Sequence, residues 1–423
     1  MTPRNTHQIR HAKVLSRAAV LVGAGLLVGL TGCQSDSGGQ RPAAKPRPSS
    51  APHGYVEGAE ESSEQQSRLV LADARTGTVG VLDLTTEDIT PVNVTPSKRT
   101  GGVRGLRTDG RFAYLRTDDA TYAVDSGTWT VDHGDHVHYY RAPIRPVGPV
   151  GGPGTAQVHS DQSVTAVSSV KGDTRLFDRK KLEEGTVPRG RSLSGAGAVA
   201  VAVAGAVVPY AEHLLVASAG AGRDTVEVRS RDGAPVAALD EPCASARGEA
   251  VTRRGVVFGC ADGALLVSED KGTFSATKIP YGRAVGAGER AVGFRHRAGS
   301  TTLAAKAGDD AVWVLDVTDR TWTRIGTGPV VAANTPGEGG PLLVLGEDGV
   351  LSAYDIATKK RTARTDLLTK GTASAVVEVD ISRAYVNDAD ARKVYEIDYN
   401  DGLRLARTFP VGFAPTHMVE TGR

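Results

Sequence analysis

After residue 67 the 423-residue sequence repeats one short pattern eight times. Each copy is a β-rich run, a turn built from Gly, Asp or Asn, and a second alternating run that often closes on Asp. Examples are "RLVLADARTGTVGVLDLTTEDI" from Arg68, "RFAYLRTDDATYAVDSGTWT" from Arg111 and "TTLAAKAGDDAVWVLDVTDRTWTRI" from Thr301. A copy of this kind reads as a β-hairpin. The copies begin at residues 68, 111, 163, 213, 255, 301, 341 and 383, with spacings of 40 to 52 residues, close to the period of four-stranded propeller blades. The chain is therefore expected to be all-β, with a single β-propeller of eight blades over 67–423. Seven blades is the alternative, because the third copy is irregular and the Ala/Gly-rich "SGAGAVAVAVAGAVV" of 194–208 is easily miscounted. That stretch is too short and too weakly apolar to span a bilayer. With 51 glycines and no sustained 3.6-residue period, almost no helix is expected.

The N-terminal region has a different character. Basic residues Arg4, Arg10, Lys13 and Arg17 precede the apolar run "AAVLVGAGLLVGL" of 18–30, which leads into "LTGC" ending at Cys33. The apolar run is shorter than the roughly 20 residues a spanning helix needs, and small residues before a cysteine suit a lipoprotein peptidase. Residues 1–32 are read as a signal peptide and Cys33 as the lipidated first residue of the mature protein; an uncleaved anchor helix is the competing reading. Either way the folded part lies outside the cytoplasm, with lipid as its expected hold on the outer face of a bacterial membrane. Residues 33–66 are rich in Ser, Pro, Gly, Gln and Glu and nearly lack aliphatic side chains, the composition of a disordered linker. One island within it, His53 to Glu64, sets His53 beside Glu57, Glu60, Glu61 and Glu64. It is either a plain acidic linker or a weak arm that collects zinc or touches a partner.

Charge and cysteine usage narrow the function. A formal net charge of +2, from 50 basic and 48 acidic residues, comes with no basic helix or aromatic-interleaved basic patch, so nucleic acid is not an expected partner. Cys243 and Cys260 remain once Cys33 is lipidated. An oxidising compartment favours a disulfide between them, the alternative being two thiolates on a metal, for which the CxxC spacing is missing.

The chain has ten histidines, and three of them fall in "VDHGDHVHYY" of 131–140. His136 and His138 are two apart and leave one face of an extended strand, while His133 can fold back across Gly134 to reach the same space. Three imidazoles fill three corners of a tetrahedral zinc site. His159, after a loop dense in Gly and Pro, is the expected fourth ligand, and Asp135 the acceptor of an imidazole N–H. The competing reading is solvated loop histidines.

"HGYVEGAEE" at 53–61, "HGDHVHYYRAPIRPVG" at 133–148, the stretch from Cys243 to Gly263 and the closing "APTHMVETGR" together resemble the secreted zinc metallochaperones of the AztD type. The resemblance implies a propeller that binds Zn2+ outside the cytoplasmic membrane and hands it to the solute-binding protein of a zinc ABC transporter. On that likeness His133, His136, His138 and His159 match the family's histidine-rich block, and His417 the histidine of its C-terminal motif. Arg247 stands where the family pattern carries a histidine after the first cysteine of the pair, and arginine cannot ligate zinc; Glu249 or a water is then expected to complete the set.

Two other functions are compatible with such a fold. A propeller enzyme of the lactonase or quinoprotein kind needs carboxylates gathered at the channel mouth, whereas the acids here sit mostly in hairpin turns. No GxSxG or HExxH motif is present, and no spare cysteine serves as a nucleophile. A metal-free interaction scaffold is the other alternative. The expectation is a monomeric binding protein without catalysis.

Overall fold

The run "RLVLA" at Arg68–Ala72 lacks polar alternation, and in the computed structural model all five of its residues are buried. Leu69 and Leu71 pack on one side against Tyr385, Val394 and Phe409. Val70 and Ala72 pack on the other against Val103, Ala113 and Leu115. A strand with a sheet on each side has no solvent face, so both of its side-chain sets are apolar. Outer strands face solvent on one side and alternate instead, as in Arg361–Asp366.

The structure describes residues 56–94, 102–133, 136–171, 173–193, 206–218 and 224–423. The expected signal peptide, Cys33, His53, Asp135 and most of the 194–208 tract lie outside them.

Among the described residues, eight antiparallel sheets form the ring, and they are the expected blades. Each neighbouring pair shares an apolar cluster. Phe112, Tyr114 and Val150 of blade 2 meet Val158, Val167 and Phe177 of blade 3, and Val208, Leu215 and Val228 of blade 4 meet Val256, Phe258 and Leu265 of blade 5. Full burial of one such Val, Leu or Phe contributes roughly 1.5–3 kcal/mol. Blade 6 has three full strands, Thr302–Lys306, Ala311–Asp316 and Thr321–Gly326; a single bridge from Arg295 to Ala304 takes the innermost position.

Blade 1 joins the two ends of the domain. His417–Thr421 pairs with Arg68–Ala72, from Thr421 opposite Arg68 to His417 opposite Ala72. The last strand thereby covers an edge that would otherwise be open to further pairing. Between blades 4 and 5, Cys243 and Cys260 form a disulfide with Cα atoms 5.0 Å apart. Closing this 17-residue separation stabilises the fold by about 3 kcal/mol. Among the described residues, helix is confined to Arg179–Glu183, capped by the Asp178 side chain, and one turn of 3-10 helix at Ala287–Glu289.

A ninth sheet lies outside the ring. Blade 2 runs Gly105–Thr108, Phe112–Arg116 and Thr121–Asp125, and its fourth strand is Arg145–Gly151. Between its third and fourth strands the chain inserts a hairpin, Thr128–Asp132 with Val137–Arg141. This insertion accounts for part of the long spacing from Arg111 to the next repeat. A third strand, Glu60–Ser62, pairs with the hairpin's second strand, Glu61 lying opposite Tyr140. The linker expected to run to residue 66 is thus ordered over its last part, because main-chain pairing supplies an order that its polar side chains do not.

Candidate metal centre

The inserted hairpin is rigid at its root and open at its tip. Gly127 starts it with φ of 73°, and a Cβ there would meet the Ala142 carbonyl oxygen at 2.2 Å, so only glycine fits. Trp129 and Tyr140 stack across the two strands with ring centroids 5.3 Å apart. The Arg111 guanidinium lies 3.7 Å from the Trp129 ring on its way to a buried ion pair with Asp125. Arg141, at the end of the hairpin, reaches Asp83 at 2.7 Å, which Arg68 also holds. Thr130 donates to the Gly422 carbonyl oxygen. These contacts tie the insertion to blades 1 and 2.

At the tip, the His133 amide donates to the His136 carbonyl oxygen at 3.0 Å. Ring centroids of His133 and His136 are 4.9 Å apart, His136 and His138 also 4.9 Å, and His133 and His138 5.2 Å. Among the described residues, one ligand nitrogen from each of the three falls within 4.8 Å of the others. Small side-chain rotations bring such a set to the zinc–nitrogen distance of roughly 2.0–2.1 Å. His133 and His136 are exposed and His138 is partly covered, stacking on Tyr140 below it.

Glu61 completes the arrangement. Its Oε1 lies 2.6 Å from Nδ1 of His138, and the strand pairing of Glu60–Ser62 is what delivers it. A carboxylate on Nδ1 holds the ring and its tautomer, leaving Nε2 to coordinate a metal. The sequence pointed to Glu61 only as one acid of the island beside His53, not as the partner of His138, because a three-residue strand pairing carries no periodic signal.

The remaining expected ligands are placed elsewhere, so the five-histidine set divides. His159 lies on Thr155–Ser160, paired at the axis end of blade 3, and its Nε2 meets Glu249 Oε1 of blade 5 at 2.7 Å. Glu249, expected to supplement the zinc ligands, is the partner of His159. His417, on the closing strand, donates from Nε2 to the Val103 carbonyl oxygen at 3.2 Å, and burial lowers its pKa. The reason is topological: blade strands point His159 and His417 inward from the ring, whereas the triad rides an insertion outside it. Arg247 is exposed and its amide donates to Gly259. The sequence reading did not single out His296, which lines the central channel, donates to the Val251 carbonyl oxygen and is driven by burial to a pKa of about 4.

Fold and site together define a class: an eight-bladed propeller that presents a histidine triad on an inserted hairpin, with a carboxylate brought by the preceding strand. No known protein family matches the sequence, and no curated protein does. Among solved structures, AztD from Citrobacter koseri and its apo form each superpose with a TM-score of 0.69 at 17% identity, over 84% of this chain and 98% of AztD. The Dos1 propeller superposes with a TM-score of 0.51 at 11% identity, over 78% of this chain and 90% of its own. This chain shares the propeller fold of those proteins.

Proposed function

We propose that the chain is an extracytoplasmic zinc-binding lipoprotein that carries Zn2+ on His133, His136 and His138 and delivers it to the solute-binding protein of a zinc ABC transporter. The observation that carries this reading is the triad itself, three imidazole nitrogens within 4.8 Å on an exposed tip, with His138 oriented by Glu61. The likeness in fold to AztD and the "HGDHVHYY" block support it, and the Cys243–Cys260 disulfide suits an oxidising compartment outside the cytoplasm. No described helix is long and apolar enough to cross a membrane; lipid on Cys33 supplies the attachment in this proposal, and the protein acts as a monomer without catalysis.

Zinc prefers four ligands, and three from the hairpin leave one position for water or an incoming side chain. The exposed His133 and His136 are the ligands a partner reaches first. Exchange then proceeds one nitrogen at a time, with His138 held by Glu61 as the last to let go. Because the core is apolar strand packing, loading and unloading leave the fold intact.

The test mixes zinc-loaded protein with the cognate solute-binding protein in excess chelator. Zinc reaching the partner faster than the chelator captures it is the expected result. Complete interception by the chelator sinks the delivery half of the reading and leaves a zinc store.

A further inference from the structure

The central channel carries an imbalance of charge that the zinc reading does not use. Arg107 projects from the axis strand Gly105–Thr108 of blade 2, and Arg295 from the axis position of blade 6, four blades away on the opposite side of the ring. Both line one cavity of about 200 Å³ together with Arg116. The two residues also line the adjoining cavity of about 370 Å³, which reaches His159, Glu249, His296 and Glu378. Three guanidiniums therefore converge on one small space.

The carboxylates beside them are already engaged. Glu378 is held by Arg295 and Arg423, each at 3.4 Å, and Glu249 by His159 at 2.7 Å. The Arg107 guanidinium makes no hydrogen bond or ion pair to any described residue, and its side chain is open to the cavity. Glu249 attracts it only from beyond ion-pair distance, while Arg295 and Arg116 repel it. Arg116 donates to the carbonyl oxygens of Arg104 and Thr155 and meets no carboxylate among the described residues. Like charges facing one another in a confined space cost free energy unless an anion lies between them.

We infer that the central channel is a binding site for a small oxyanion, held between Arg107 and Arg295 from opposite blades with Arg116 alongside. A guanidinium presents paired N–H donors that match carboxylate and phosphate oxygens, and Arg107 has all of its donors available. The cavity volume suits inorganic phosphate or a dicarboxylate. The site is independent of the hairpin and of the zinc reading.

The test is calorimetric titration of the zinc-free protein at low ionic strength, in one arm with inorganic phosphate and in the other with succinate. One of the two is expected to bind at about one equivalent. Arg107→Gln should weaken that binding at least about tenfold, leave zinc binding unchanged, and melt no lower than the parent without anion, since it removes a repelled charge. The exposed Arg364→Gln serves as the charge-matched control and should bind like the parent. Absence of binding in both arms overturns the inference, as does an equal loss in Arg107→Gln and Arg364→Gln, which marks general surface attraction.

Discussion

Histidines occupy two contrasting regions of this molecule. On the hairpin tip, His133, His136 and His138 face one another, two of them exposed, and a carboxylate in contact with His138, that of Glu61, comes from a strand outside the ring. At the channel side, His159, His296 and His417 each have a partner inside the propeller: Glu249, the Val251 carbonyl oxygen and the Val103 carbonyl oxygen. Burial holds His296 and His417 below the ordinary imidazole pKa. The difference separates roles that one residue type can play. Imidazoles that face one another at the surface suit a cargo that comes and goes; imidazoles bonded to the scaffold serve the scaffold.

The largest expected effect bears on how the tip is held. Tyr140 is fully buried at the hairpin root, so Tyr140→Ala should cost about 3 kcal/mol and weaken zinc binding with it, measured by denaturant unfolding and zinc titration of one sample. Unchanged zinc affinity in that variant would show that the tip does not depend on its root.

Acid should divide the two regions. For His296 and His417 the folded pKa is depressed, to about 4 for His296, so below about 6.5 the unfolded chain binds protons that the folded chain refuses. Their contribution to stability is present above that value and is lost as pH falls through it toward 4. Melting of the zinc-free protein should drop by a few degrees between pH 6.5 and 5, and His296→Gln should flatten the slope; an unaltered slope would remove His296 from the account. Zinc affinity should fall in the same direction for a separate reason, because a protonated imidazole cannot ligate.

Next in size is His136→Ala, which should reduce zinc affinity at least about tenfold, or ~1.4 kcal/mol, with melting of the zinc-free protein unchanged. His159→Ala, from the other region, should leave zinc affinity at the hairpin as it was. A matching loss in His159→Ala would join the two regions into one site and break the comparison. The smallest effect belongs to Glu61→Gln, whose exposed carboxylate orients one ligand: a loss of about threefold to tenfold is expected by competition titration, and none at all would make the Glu61 contact incidental.

The repeat was legible in the sequence because each blade needs the same local parts, namely a β-rich run, a tight turn and a second run. The Cys243–Cys260 pairing was legible as well, since two cysteines remained for one oxidising compartment. The triad was legible because its residues are local, with His136 and His138 on one strand face and His133 just before them. The positions of His159 and His417 were not. Spacing along the chain says nothing about which blade a strand's neighbour across the ring belongs to, so His159 found Glu249 ninety residues away and not the triad.

What the sequence determined by itself, then, is what short-range chemistry controls: strand and turn alternation, a repeated hairpin whose count stood at eight with seven as the alternative, and the clustering of three imidazoles within six residues. Ring closure decided the rest. Only when His417–Thr421 pairs with Arg68–Ala72 do the inner strands converge on one axis and bring Arg107 and Arg295 to a common cavity. Only the pairing of Glu60–Ser62 with the hairpin sets Glu61 on His138. Contacts between residues tens to hundreds of positions apart depend on how whole sheets pack, and that depends on apolar surface summed over many strands, a quantity no local pattern contains.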